Sequence, residues 1–354
     1  MAGDRTLVTE LATALGTLPY PDLPTVLAAR PGELTIDDGV WDRLQQLHQA
    51  GAHAEDFATA WSNGRAFAAA GDGLAGRPPR LVEWTGGRRP PGDEVAPIDL
   101  RIDHVYLISC KYLSDVIANP SPGRLFDGLL ATAGEWDRGD WYQAVAPEEY
   151  QALYAACRDA AGLPGLPDAA GGLTGEDRLR LSRALADRLY PPGAREAYRQ
   201  LCVAVSERSA ERWARRLAAS DPERALWRLL RIGNAPYFLL GAKQRAGRGR
   251  GPGPRNESLR LRVATPWDWR QAHRLEELQV RAAGAGQPRV DWTARCTDLR
   301  NGAARQVDGH VEIRWSHGRF RQPPEAKVYL DTPASRLPGY HSLDAPAPPG
   351  QLPL

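Results

Sequence analysis

The sequence predicts an α/β protein of several domains, and three observations carry that expectation. Apolar residues recur at helical spacing through residue 70. Two runs rich in Val, Ile, Leu and Tyr, EVAPIDLRI and VYLISCKYL, then adjoin with only Asp103-His104 between them, the length of a hairpin link. A helical middle section and a strand-rich C-terminal part follow.

The elements read in order. TLVTELATALGTL has the spacing of a first helix, and Asp37 and Asp38 give a start signal to a second, VWDRLQQLHQAGA. A third, EDFATAWSNGRAFAAA, runs from Glu55 to Ala70 and closes on Gly-Asp-Gly. RPPRLVEWTGG is a short strand ended by Gly86-Gly87, ahead of the hairpin. Beyond Lys111 the chain turns through NPSP, and Pro122 suits the first turn of a helix, GRLFDGLLATA. The N-terminal helical region is thus 1–49 and the helix-and-strand core 50–161. GLPGLPDAAGGLTG, 162–175, is a Gly/Pro-rich linker. Leu, Ala and Trp at i, i+3 and i+4, with arginines on the other face, make 176–242 a helical section. A basic linker, 243–262, leads to a C-terminal α+β domain, 263–340, with strands in SLRLRVATPW, HVEIRW and AKVYLDT, and a disordered tail follows at 341–354.

Composition narrows the function. The 354 residues carry a net charge of +2, so affinity for nucleic acid must come from local clusters. Four widely spaced cysteines with no CxxC pair argue against a zinc ribbon or a disulfide scaffold and for a reducing compartment. There is no secretory signal and no membrane-length apolar run, which makes a cytoplasmic protein with no membrane partner the expectation. P-loop, GxGxxG, GxSxG and HExxH motifs are absent.

The hairpin holds the sharpest chemistry. Asp99 stands at one end of it, and the second strand ends Ser109-Cys110-Lys111, with Ser109 and Lys111 on one face and Cys110 on the other. A carboxylate and a lysine at one sheet end suit phosphodiester cleavage: the acid binds a divalent cation, and the amine orients water and offsets phosphate charge. Pro97-Ile98-Asp99 followed by Ser109-Cys110-Lys111 resembles the PD-(D/E)xK, restriction-endonuclease-like nuclease superfamily, over roughly residues 50–135. The resemblance implies a restriction-endonuclease-like core of order α-β-β-β-α-β, Mg²⁺ (or Mn²⁺) as cofactor, Asp99 as metal ligand and Lys111 as catalytic lysine. The superfamily's second acid is Ser109 here, so another carboxylate is needed. Glu94 and Glu83 are the candidates, with Glu55 a weaker third.

A second constellation offers an alternative site: Glu325-Ala326-Lys327 is a literal ExK, with Glu312 upstream. No helix follows that could complete a core there. Partner signals agree with a nucleic-acid substrate. Residues 243–262 hold seven basic residues against one acid, including Arg245, Arg248, Arg250 and Arg255 on a glycine-rich segment. Trp267 and Trp269 beside Arg270 could stack on bases, and Arg124 near a helix start could meet phosphate. The expectation is a metal-dependent endonuclease, DNA favoured over RNA, compatible with a homo-oligomer and with a role in defence. The alternative is a non-catalytic nucleic-acid-binding protein with a degenerate nuclease-like core.

Overall fold

A computed structural model describes residues 3–86, 98–112, 116–131, 134–136, 139–185, 190–233, 235–244, 256–284 and 286–343. Helices α1 (Asp4–Gly16) and α2 (Leu23–Ala29) lead to strand β1 (Leu34–Thr35), then α3 (Asp38–Gln49) and α4 (Ala54–Ala69). Three strands follow: β2 (Val82–Trp84), β3 (Leu100–Ile102) and β4 (Tyr106–Tyr112). After β5 (Val116–Ala118) comes a helical stretch: α5 (Pro122–Phe126), α6 (Trp141–Val145), α7 (Pro147–Ala161), α8 (Gly175–Ala184), α9 (Arg195–Ala218) and α10 (Pro222–Leu229). Then come β6 (Tyr237–Gln244), β7 (Asn256–Val263) and α11 (Pro266–Ala272). The last strands are β8 (His273–Ala282), β9 (Arg289–Asp298), β10 (Ala304–Arg314), β11 (Glu325–Leu330) and β12 (Tyr340–Ser342). Among the described residues no helix is long and apolar enough to cross a membrane.

The chain is mixed α/β and forms two compact units. The first is drawn from Met1–Asp115, Arg231–Ala272 and Ala334–Leu354, the second from Val116–Leu230 and His273–Pro333. This division cuts across the linear one expected from the sequence. The 1–49 helices join the hairpin in the first unit, and the expected 50–161 core is divided after Asp115. The 162–175 segment lies inside the second unit, between α7 and α8. The described residues of 243–262 belong to β6 and β7, which pair out to Gln244 opposite Asn256 within the first unit. The expected 263–340 domain is split: β7, α11 and β12 belong to the first unit, and β8 to β11 to the second. The expected tail begins too early, since β12 runs through Ser342 and pairs with β7; residues 344–354 lie outside the described residues.

The first unit is built on a seven-stranded sheet of order β1-β2-β3-β4-β6-β7-β12. Strands β2, β3 and β4 form an antiparallel meander, β6 runs parallel to β4, and β7 antiparallel to β6. Val82, Leu100, Ile102, Ile108, Phe238 and Leu240 share a core with the apolar stripes of α1, α3 and α4. The helix expected after Asp37 starts there, its carboxylate accepting from Val40 N, and α2, which sequence reading missed, is capped by Asp22, whose carboxylate accepts from Thr25 N. Gly16 of α1 and Gly64 of α4 meet so closely that a Cβ on Gly64 would lie 2.2 Å from the Thr13 carbonyl, which brings α1 tight against α4. The β3–β4 turn places both Asp103 and His104 at positive φ, and the Asp103 carboxylate accepts from Arg80 N and Leu81 N, pinning the approach to β2.

The helix expected after the hairpin is shorter than the apolar pattern of GRLFDGLLATA implies. It ends at Phe126, because Leu129 and Leu130 adopt left-handed conformations, and it belongs to the second unit. That unit carries an antiparallel sheet of order β5-β11-β10-β9-β8 together with α5 to α10. Its core is aromatic, with Phe126 against Trp141 and Trp213 and with Tyr150 stacked on Phe320.

Candidate functional site

The first unit gathers Asp99, Ser109, Lys111 and an acid from the first helix. Asp99 directly precedes β3, and its N–H donates to the Ile108 carbonyl at 2.9 Å. Its carboxylate accepts from Cys110 N at 2.6 Å and from the Ser109 hydroxyl at 3.2 Å, so Oδ2 is fixed against β4. Cys110 and Tyr112 pack toward the α1–α4 core. By the pleat, Ser109 and Lys111 face the other side. Ser109 is fully buried. Its hydroxyl also bonds the buried Tyr237 hydroxyl, which accepts from Arg231 Nη1 at 3.2 Å. Each hydroxyl has one proton, so the donors run in one direction: Arg231 to Tyr237, Tyr237 to Ser109, Ser109 to Asp99. Ser109 thus orients the Asp99 carboxylate.

Glu10 is the carboxylate that sequence reasoning missed. It is 9% exposed on α1, and its Oε2 accepts from Trp84 Nε1 at 2.6 Å. Burial pushes its carboxyl up to about 7, and the charge on Asp99 adds to the rise, while the Trp84 hydrogen bond and Lys111 oppose it. Burial likewise draws the Lys111 ammonium down to about 8, helped by the charge of Arg231 and resisted by Asp99, Cys110 and Glu10. The Asp99 charge thus acts on both Glu10 and Lys111, although Glu10 comes from α1 and Lys111 faces the other side of the sheet. Burial pushes the Cys110 thiol well up, and Asp99 and Glu10 add to it, so Cys110 is poorly suited to thiolate chemistry.

A neighbouring hydrogen-bond network ties α1, which carries Glu10, to the sheet. The Tyr112 hydroxyl bonds Thr13 Oγ1 at 2.7 Å and Asn63 Nδ2 at 3.1 Å, joining β4 to α1 and α4. Asn63 also donates to the Gly241 carbonyl at 2.8 Å and accepts from Arg260 Nε at 2.9 Å. Gly241 is required where it stands, beside Lys111 across the β4–β6 pair: an added Cβ would lie 1.9 Å from the Lys111 carbonyl.

The other expected acids are elsewhere. Glu83 lies opposite Arg101, on the hairpin-turn side of Asp99, and pairs with His104 Nδ1 at 3.1 Å. Glu55 is exposed in the first turn of α4. Glu94 lies outside the described residues.

The alternative site is a paired, charged face in the second unit. Glu312 lies opposite Lys327 across the β10–β11 pair, accepts from the Tyr329 hydroxyl at 3.1 Å and meets Arg314 Nε at 3.5 Å. Glu325 accepts from Asn119 Nδ2 at 2.9 Å and from the Ser316 hydroxyl. Burial opposes its ionisation, but those bonds, with Lys327 and His317 nearby, outweigh it and hold its carboxyl below the usual value.

The expected nucleic-acid contacts divide. Trp269 is fully buried, packed in the first unit against Gly339, and has no base-stacking face to offer. Trp267 is 70% exposed on the same helix. Arg124 belongs to the second unit, on α5. Arg245, Arg248, Arg250 and Arg255 lie outside the described residues. Their segment joins Gln244 to Asn256, and Gln244 stands three residues past Gly241, the register partner of Lys111. The connection therefore leaves the sheet about 10 Å beyond the lysine, at roughly 3.3 Å per residue.

Among the described residues no group of three or more His, Cys, Asp or Glu side chains could hold a metal ion. Glu10 and Asp99 nevertheless fit Mg²⁺ or Mn²⁺. Both are hard oxygen donors, the Asp99 charge disfavours ionisation of Glu10, and Mg²⁺ commonly binds through one or two carboxylates, with water and substrate phosphate completing its shell. Comparison with protein-family models, with curated proteins and with solved structures finds no match to the chain.

Proposed function

We propose that the protein is a metal-dependent nuclease that hydrolyses phosphodiester bonds, DNA favoured over RNA, at Asp99, Glu10 and Lys111. The observation that carries this reading is the Asp99 carboxylate held against β4 by the Ser109 hydroxyl and Cys110 N, one residue short of Lys111, with Glu10 feeling its charge. The order of elements supports it in part: a helix, an antiparallel meander and a fourth strand beside the third belong to the first unit, while the helices between the third and fourth strands belong to the second.

Asp99 and Glu10 would hold Mg²⁺ or Mn²⁺, which when bound polarises the phosphate and lowers the pKa of water. Ser109 keeps the Asp99 carboxylate turned toward β4 through its hydroxyl. Lys111, with a lowered pKa, orients the attacking water and offsets the charge that builds on the phosphate. The arginine-rich connection between Gln244 and Asn256 and the exposed Trp267 would carry the strand, by phosphate contact and base stacking.

The test is cleavage of single- and double-stranded DNA and RNA by the wild type and Asp99→Asn, with Mg²⁺, with Mn²⁺ and with chelator. Cleavage that needs metal and falls about a hundredfold or more in Asp99→Asn supports the reading. Ser109 in the place of an acid favours a second reading, a non-catalytic nucleic-acid-binding protein. It requires salt-sensitive binding with no cleavage under any of these conditions.

A further inference from the structure

Arg231 opens the second segment of the first unit, just ahead of β6. Its side chain is 3% exposed and its backbone φ is 58°, in the left-handed region that favours glycine. Nη1 donates to the Tyr237 hydroxyl at 3.2 Å. Nε and Nη2, which lie along one edge of the guanidinium, have no hydrogen-bond partner among the described residues.

That edge is the fork with which this chain's arginines grip oxyanions. Arg212 holds both oxygens of Asp127 with Nε and Nη2, at 2.5 and 2.8 Å, and Arg43 holds Asp4 the same way, at 3.2 and 2.6 Å. At Arg231 no described carboxylate takes that place. A guanidinium stays charged at any pH a protein meets, and buried donors are nearly always satisfied. The surroundings sharpen the contrast. Lys111 lies close enough for the two cations to repel, and the hydroxyls of Tyr237 and Ser109 link Arg231 to Asp99.

The geometry points to Arg231 as an oxyanion-binding residue of the candidate site: its Nε–Nη2 edge takes two non-bridging oxygens of a phosphodiester phosphate beside Lys111. Planar bidentate recognition of phosphate is what an arginine supplies and a lysine does not. This deepens the reading of the site given above and rests on it for the identity of the ligand.

The experiment is calorimetric titration of the full chain, without metal, with inorganic phosphate and separately with acetate. The wild type, Arg231→Lys and Arg231→Gln are compared. The wild type is expected to bind phosphate more tightly than acetate, because phosphate brings the greater charge to Arg231 and Lys111, with phosphate affinity down about tenfold or more in Arg231→Lys and lost in Arg231→Gln. Acetate bound as tightly as phosphate, or phosphate bound equally by all three proteins, overturns the assignment. Because replacement of a buried arginine can prevent folding, the wild type labelled with ¹⁵N-arginine is also titrated with phosphate by NMR. A solvent-protected Nε–H resonance should shift, and the absence of any such shift refutes the site whatever the variants do. The two readings fail separately. Phosphate binding through Arg231 without cleavage of any nucleic acid removes hydrolysis and leaves the oxyanion site. Cleavage by a folded Arg231→Lys at the wild-type rate removes Arg231 and leaves hydrolysis.

Discussion

Glu10→Gln should make the protein more stable at neutral pH while disabling it. The wild-type carboxyl titrates at about 7 in the folded chain against 4.5 for the ordinary group. Between those values the unfolded chain has released its proton and the folded chain keeps it, so stability falls as pH rises. The slope approaches about 1.4 kcal/mol per pH unit, and the full cost above pH 7 is about 3 kcal/mol. Glutamine cannot ionise, yet its Oε1 can still accept from Trp84 Nε1, so the variant keeps the hydrogen bond and loses the cost. Urea unfolding of both proteins at pH 5 and pH 8 measures the difference. The advantage of Glu10→Gln should grow by about 2.5 kcal/mol between those pH values. Added Mg²⁺ should shrink it, because a cation favours the ionised carboxylate. An advantage independent of pH, or a variant less stable at pH 8, would show that Glu10 is not the strained acid described here.

Other perturbations test separate parts of the site. Deleting 245–255 removes four arginines and should flatten the dependence of log K on log[salt] for duplex DNA by up to about 3.6, a change an unaltered slope would contradict. Trp267→Ala should weaken single-strand binding by about 1–3 kcal/mol without changing thermal stability, whereas equal binding would make Trp267 a bystander. Gly241→Ala should cost about 1–3 kcal/mol in unfolding free energy and displace β4 at Lys111, since its Cβ would meet the Lys111 carbonyl at 1.9 Å; unchanged stability would refute the close approach.

Much of the first unit was legible because its signals are local. The β3–β4 hairpin shows itself in two apolar runs and a turn, and the helix start at Asp37 is a capping residue, whereas the short α2 capped by Asp22 went unread. Asp99 and Lys111 stand in one short hairpin, where pleat and pairing dictate which side chains share a face. Glu10 is remote from them in sequence, and only its place on the buried stripe of α1, with Leu7, Leu11 and Ala14, hinted that an acid there needed a reason. No local signal says which sheet a strand joins. β8 has Leu275, Leu278 and Ala282 at i, i+3 and i+7, which also suits a surface helix, and the second unit's first segment interrupts the first between β4 and β6. Trp267 and Trp269 read as a pair, yet residues two apart on a helix point to nearly opposite sides, and one is exposed where the other is core. The literal ExK motif is ambiguous for a different reason: a cross-strand partner, Lys327 opposite Glu312, accounts for its charges as surface pairing, and pairing across strands is invisible in a linear motif.

The most direct test of the central claim is single-turnover cleavage by Lys111→Ala and Lys327→Ala beside the wild type, in Mg²⁺ and in Mn²⁺, with folding checked by thermal denaturation. Lys111→Ala should lose about a hundredfold or more in rate while remaining folded, because its ammonium acts on the developing charge. Lys327→Ala, in a paired surface face, should cut at close to the wild-type rate. Activity lost in Lys327→Ala and kept in Lys111→Ala would move the site to the second unit and contradict the account.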